Sequence, residues 1–184
     1  MFKMLHFGTA VDSNEEEYRG FYCKSDVNRS RLAMLLFAVP IAGFVVNDYM
    51  FYGVSLEFFG FAALRAVLLL VTAIEFVYVT RVKSYHSYDL MLFSASAVIM
   101  TGGGIINALR PQNFVVQMVI TIVSVFVLYL VVPFRFSYQS ILSSAATIGE
   151  SLIVLFILKP IEPAITFTLL FSMLLANLIA AISS

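Results

Sequence analysis

Long apolar runs separated by short polar breaks dominate the chain from Arg31 onward. Each run holds roughly 20 residues, and about 20 residues of α-helix cross a hydrocarbon core of about 30 Å. Backbone groups cannot stay unpaired in lipid, and the runs lack the two-residue alternation of barrel strands, so the pattern predicts helices. The predicted spans cover residues 31–52, 59–80, 88–108, 114–132, 138–158 and 163–182. We therefore expect an all-α membrane protein, a bundle of six transmembrane helices.

Composition supports a lipid environment. Hydrophobic residues make up 61% of the 184, charged residues 12%, and the mean hydropathy is +0.96. A soluble domain is about 45–50% apolar and about 25% charged, so this chain has too little charge to cover a soluble globule. The net charge of zero gives no reason to propose a nucleic-acid partner. Residues 1–27 lack a continuous apolar segment and are interpreted as a cytoplasmic leader before a membrane domain of residues 28–184.

The distribution of lysine and arginine predicts the orientation. With the N-terminus inside, eight of the eleven basic residues lie in the leader and the cytoplasmic loops. The predicted outer loops hold only Arg110 and Lys159, and Arg65 lies within a span. Because cytoplasmic loops carry the excess of basic residues, both termini are expected in the cytoplasm.

Four ionisable residues lie well inside the predicted spans, away from their ends, where charge is costly and marks function or a specific pair. Helical rise places Asp48, Arg65 and Glu150 in the outer half of the bundle, with Asn107 nearby. We predict an Asp48–Arg65 ion pair with Glu150 as a candidate third member. This cluster either only fixes helix packing or forms the polar floor of an outward-facing ligand pocket. Glu75 lies ~15 Å along the helix from Arg65, and it either pairs near the cytoplasmic end with Arg81 or a neighbouring helix, or stays protonated.

Three consecutive glycines, Gly102 to Gly104, lie inside the third predicted span. Small residues in a membrane helix typically permit close helix contact. A local kink or space for a ligand is the alternative reading.

No catalytic constellation is visible, and neither histidine has a partner suited to a metal or haem at depth. We therefore expect no enzyme activity in these residues, no cofactor and no metal site. The polar cluster above an apolar interior suggests an amphiphilic small-molecule ligand, such as a quinone or a fatty-acid-like signal. A small six-helix transporter or channel-like subunit is the main alternative, and a passive anchor is a third.

Several short motifs resemble one family of membrane domains. They are Asn28-Arg29-x-Arg31 before the first span, Asp48, Arg65, the segment Pro133-Phe134-Arg135-Phe136, and Leu175-Ala176-Asn177-Leu178-Ile179 in the last span. In this pattern the chain is similar to the six-helix N-terminal membrane sensor (MASE-like) domains of bacterial diguanylate cyclases, class III adenylate cyclases and related sensor kinases.

The resemblance implies a role in signal transduction at the bacterial inner membrane. A ligand or a membrane state would shift the last helix and change the spacing of cytoplasmic output domains in a homodimer. The output enzyme would lie outside these residues, and Asn177 is the residue predicted to couple the bundle to it.

Overall fold

The computed structural model describes residues 10–82, 84–110, 114–157 and 163–183, and within them the chain is all-α. The helices are α1 Ala10–Tyr52, α2 Leu56–Tyr78, α3 Tyr85–Leu109, α4 Phe114–Leu130, α5 Phe136–Leu152 and α6 Pro163–Ser183. A π-helical segment, Ile153–Ile157, continues α5. The prediction of six helices is confirmed.

Five of these helices are long and apolar enough to cross a membrane. The fourth apolar helix is shorter, with 17 residues from Phe114 to Leu130. The candidate spans are Ser25–Tyr52, Leu56–Tyr78, Tyr85–Leu109, Phe136–Ile157 and Ala164–Ser183. A multi-pass membrane protein is therefore the architecture that the helices support.

The structure adds two features to the predicted pattern. The first helix starts at Ala10 and not near Arg31, so the part of the predicted leader from Ala10 to Val27 is helical and continuous with the first span. Residues 1–9 lie outside the described part of the chain. The predicted fifth span changes to π-helical geometry after Leu152, which no apolar pattern distinguishes from α-helix.

The turn between α1 and α2 brings Asp48 and Arg65 to the same end of the bundle. Gly53 adopts a left-handed conformation with φ of 57°, which favours glycine because it has no Cβ. Ser55 then caps α2, its hydroxyl accepting a hydrogen bond of 3.2 Å from the Phe58 amide. Such a short turn makes α1 and α2 antiparallel neighbours. We call this the α1/α2 end of the bundle, and the opposite one the α2/α3 end.

The helices pack as two groups that are joined by the contact between α3 and α5. In the first group α1, α2 and α3 surround a core that includes Phe37, Leu68 and Leu92. In the second group α6 packs on α4 and α5. Its small residues Ala176 and Ala180 are buried, as expected for a packing face that permits close contact between helices.

Candidate functional site: two polar clusters and an intramembrane cavity

The first polar cluster joins α1, α2 and the end of α3. The Arg65 Nε atom donates to Asp48 Oδ2 at 2.6 Å, and Arg65 Nη2 lies 3.4 Å from Asp48 Oδ1. Arg110, directly after α3, donates from Nη1 to the same Oδ1. Asp48 and Arg110 are fully buried and Arg65 is 4% exposed. One carboxylate thus holds two guanidinium groups, and we call these three residues the charge cluster.

Aromatic rings partly compensate the two buried cations. The Arg110 guanidinium carbon lies 4.8 Å from the Phe51 ring centre and 5.6 Å from that of Tyr52. The Arg65 guanidinium carbon lies 5.5 Å from the Phe44 ring centre. The electron-rich face of a ring attracts a cation, and more strongly where water is excluded. Even so, Nε and Nη2 of Arg110 have no hydrogen-bond partner among the described residues.

The charge cluster carries a formal charge of +1. Arginine stays protonated in proteins, and the Asp48 carboxylate accepts hydrogen bonds from both guanidinium groups. Among the described residues, two cations against one anion leave one positive charge in this cluster. A buried charge without a partner is costly. The cluster is therefore incomplete as a purely structural ion pair.

The second polar cluster joins α3, α4 and α5. The Asn107 side-chain amide donates to Glu150 Oε1, and the Thr121 hydroxyl donates to the same oxygen at 3.2 Å. All three side chains are buried. The other oxygen of the carboxyl group, Glu150 Oε2, has no hydrogen-bond partner among the residues that the structure describes.

A cavity of about 330 Å³ lies between the two clusters. Its polar lining includes Arg65 from α2, Asn107 from α3 and Glu150 from α5. Most of the remaining wall is apolar and comes from α1 to α5, for example from Phe37 and Leu142. A concave apolar site with a few convergent polar groups is typical of small-molecule binding, and such pockets measure about 300–1,000 Å³.

The glycine run in α3 combines a close helix contact with an open stretch of the cavity wall. A Cβ at Gly102 would lie 2.6 Å from Leu68 Cδ2, so this glycine permits close contact between α3 and α2. At Gly103 a Cβ would meet no atom within 4 Å, and at Gly104 it would lie 4.0 Å from Glu150 Oε1. Both of these glycines line the cavity. Gly102 brings the helices together, and the next two leave the wall of the cavity open.

The π-helical segment begins three residues after Glu150 and borders both the cavity and α6. Ile153 lines the cavity, and its neighbour Val154 is buried against Met118 of α4 and Met173 of α6. Single π-helical turns inside α-helices are rare and occur frequently at functional sites. This segment therefore gives a direct packing route from the cavity wall to α6.

Asn177 is the hydrogen-bonding centre of the contact between α6 and its neighbours. Its Nδ2 donates to the Thr147 hydroxyl of α5 at 2.9 Å. Its Oδ1 accepts from the Tyr129 hydroxyl of α4 at 3.1 Å and lies 3.4 Å from the Ser143 hydroxyl of α5. One side chain of α6 thus holds both adjacent helices.

The α2/α3 end carries smaller polar contacts. The Ser30 and Tyr88 hydroxyls are 2.5 Å apart, and Arg135 Nε lies 3.4 Å from Asp89 Oδ2. Glu75 is buried, and its Oε1 has no hydrogen-bond partner in the described part of the chain. The suggested partner Arg81 instead lies against the Tyr78 ring, with 5.7 Å between the guanidinium carbon and the ring centre.

The structure contains the predicted Asp48–Arg65 pair but changes its third member. Glu150 bonds to Asn107 and Thr121, and the place predicted for it beside Asp48 is taken by Arg110. Arg110 was interpreted as an outer-loop residue. Its backbone does follow α3, but its side chain turns into the bundle. The signal that could have found it is a second arginine at the same end as Asp48.

Comparisons with protein-family models, with curated proteins and with solved structures found no match to this chain.

Proposed function

We propose that this chain is a membrane sensor domain that binds an amphiphilic small molecule within the bilayer and passes the signal to a cytoplasmic output. The observation that carries the proposal is the cavity of about 330 Å³, which has Arg65, Asn107 and Glu150 in an otherwise mostly apolar wall. Ionisable groups at membrane depth generally mark a ligand path, a proton relay or a specific pair. A lipophilic ligand with a polar head group fits a cavity whose mostly apolar wall carries a few polar groups.

In the proposed topology all six helices cross the membrane and both termini are cytoplasmic. α4 spans ~25 Å at the usual helical rise, which is at the short end for a transmembrane helix. The α1/α2 end, with the charge cluster, then faces outward. The α2/α3 end carries Arg81 and Arg135, as expected for the cytoplasmic side. The bacterial inner membrane is the proposed location.

The proposed route of the signal runs from the cavity through the π-helical segment to α6. A ligand that pushes on Ile153 displaces Val154, which packs on Met173 of α6. Asn177 holds the following turn of α6 to α4 and α5. A ligand shifts such an equilibrium only if it binds the two arrangements with different affinity. A π-helical turn, which stores one extra residue in the helix, offers two discrete arrangements.

The resemblance to cyclase-associated and kinase-associated sensor domains supplies the proposed output. α6 would continue into a cytoplasmic signalling helix and a catalytic domain, and the assembly would be a homodimer. The chemistry of such enzymes would reside in that catalytic domain.

The size of the native polypeptide tests whether an output domain exists. Source membranes are immunoblotted with an antibody against residues 12–18, and cells lacking the gene serve as the control. The proposal predicts a band well above the 20.5 kDa of this chain. A band near that mass would contradict the sensor proposal and favour a bundle that acts alone, as a transporter or a channel-like subunit.

A further inference from the structure

The ionisable and amide side chains of the cavity wall lie toward one end, and the deeper wall is mostly apolar. Arg65, Asn107 and Glu150 lie toward the α1/α2 end, whereas Phe37 and Leu142 lie deeper toward the α2/α3 end. From Glu150 to Leu142 along α5 the helical rise gives a depth of ~12 Å. A small volume with this polarity suits a single alkyl chain whose head group lies at the α1/α2 end.

The charges around the head-group end are unequal. Arg65 lines the cavity and belongs to the charge cluster, whose formal charge is +1. On the opposite wall Glu150 is held by the neutral donors Asn107 and Thr121, and no cation contacts it among the described residues. A buried carboxylate without a cation is very costly, whereas a neutral carboxyl group in the same place still donates one hydrogen bond.

We propose that the cavity binds a single-chain amphiphile with an anionic carboxylate head group, held between the Arg65 guanidinium and the neutral carboxyl group of Glu150. The inference rests on the proposed ligand-binding function and specifies its ligand class. The ligand carboxylate balances the surplus positive charge of the charge cluster. Glu150 Oε2, which has no hydrogen-bond partner in the described part of the chain, donates a hydrogen bond to the bound carboxylate.

Head-group selectivity tests the inference directly. Three probes share one photoreactive decyl chain and end in a carboxylate, a hydroxyl or a quaternary ammonium group. The protein is reconstituted in nanodiscs of zwitterionic lipid, irradiated, and digested, and labelled peptides from residues 99–107 and 142–153 are quantified by mass spectrometry. A hydrogen bond to a charged head group raises the affinity about tenfold over a neutral one. The carboxylate probe should therefore label these peptides about tenfold more than the hydroxyl probe.

Two variants separate the roles of the polar residues. Glu150→Gln retains a neutral donor and should keep carboxylate labelling within about threefold of the unchanged protein. Arg65→Gln should reduce carboxylate labelling about tenfold and hydroxyl labelling by a smaller factor, because only the carboxylate also loses an ion pair. Arg65→Lys keeps the positive charge and is the control for damage to the fold. It should retain more carboxylate labelling than Arg65→Gln.

Each contrary outcome has a distinct meaning. Preference for the ammonium probe, or loss of carboxylate labelling in Glu150→Gln, would overturn the inference. Equal labelling by the carboxylate and hydroxyl probes would also overturn it, and the ligand-binding function would still stand. If no probe labelled either cavity peptide, the inference would fail together with the ligand site of the proposed function.

Discussion

Replacing Asp48 with asparagine is expected to destabilise the protein by about 3–5 kcal/mol, since it removes the carboxylate that holds two buried guanidinium groups. Arg65 and Arg110 come from α2 and the end of α3, so the loss loosens three helices at once. The expected result is a fall of about 10 °C in the midpoint of thermal unfolding, followed by circular dichroism in detergent micelles.

The matched control for Asp48→Asn is Glu57→Gln. It removes one acidic charge from the same end of the bundle but at an exposed position, so its midpoint should stay close to that of the unchanged protein.

A double variant tests whether Asp48 and Arg110 act together. In Asp48→Asn, Arg110→Met one of the two cations that lose the Asp48 carboxylate is absent. Its destabilisation should be smaller than the sum of the single effects by about 0.5–3 kcal/mol. Additive effects, or a midpoint for Asp48→Asn equal to that of Glu57→Gln, would show that Asp48 does not hold the charge cluster together.

Replacing Asn177 with leucine is expected to release α6 from its neighbours. The change removes the hydrogen bonds to Tyr129, Ser143 and Thr147. Hydrogen bonds between membrane helices average about 0.6 kcal/mol, so three of them contribute about 2 kcal/mol. Amide hydrogen exchange in α6 should therefore quicken more than tenfold, as measured by mass spectrometry of the protein in nanodiscs.

Thr168→Leu is the control for Asn177→Leu. The Thr168 hydroxyl is exposed and, among the described residues, bonds only to the carbonyl of Ala164 in its own helix, so the variant changes polarity on α6 without breaking a contact between helices. Exchange in this control should match that of the unchanged protein. Equal exchange rates in Asn177→Leu and Thr168→Leu would remove Asn177 from the proposed signal route.

The helices and one ion pair could be predicted from the sequence because both follow from local rules. Apolar runs of membrane-spanning length leave helices as the natural structure for the backbone. Asp48 and Arg65 flank one short turn, so the antiparallel arrangement of two neighbouring helices is enough to bring them together. The site roles of Asp48, Arg65, Asn107, Glu150 and Asn177 remain predictions that binding and exchange experiments must decide.

The remaining features depend on the rotation and depth of helices that are distant in the sequence. Arg110 lies 62 residues from Asp48, and its position after α3 was equally compatible with an exposed loop. Thr121 lies 29 residues from Glu150, and nothing in the apolar run of α4 distinguishes it from a lipid-facing threonine. The π-helical segment has no signal of its own, since Ile153–Ile157 reads as ordinary apolar helix. Tertiary packing decides the position of the Arg110 side chain, the contact between Thr121 and Glu150, and the π-helical geometry.

The proposed sensor mechanism is tested most directly by whether a ligand in the cavity, or a side chain that fills it, moves α6. Cys23→Ser first removes the single cysteine of the chain. Spin labels are then attached to cysteines introduced at the exposed positions Ser137 and Ser183. The distance between the two labels is measured by pulsed electron paramagnetic resonance with and without decanoate or decanol. A pair at Ser87 and Ser137 serves as the reference. Gly103→Leu fills the cavity wall where a Cβ meets no atom within 4 Å, and Gly43→Leu makes the same change at an exposed position outside the cavity.

A bound amphiphile is expected to change the Ser137–Ser183 distance and to leave the distance of the reference pair unchanged. The change should persist in Gly43→Leu and disappear in Gly103→Leu. The contrary result is an unchanged Ser137–Ser183 distance when photolabelling shows that the cavity is occupied. It would contradict the proposed sensor mechanism, because ligand binding would then have no path to α6.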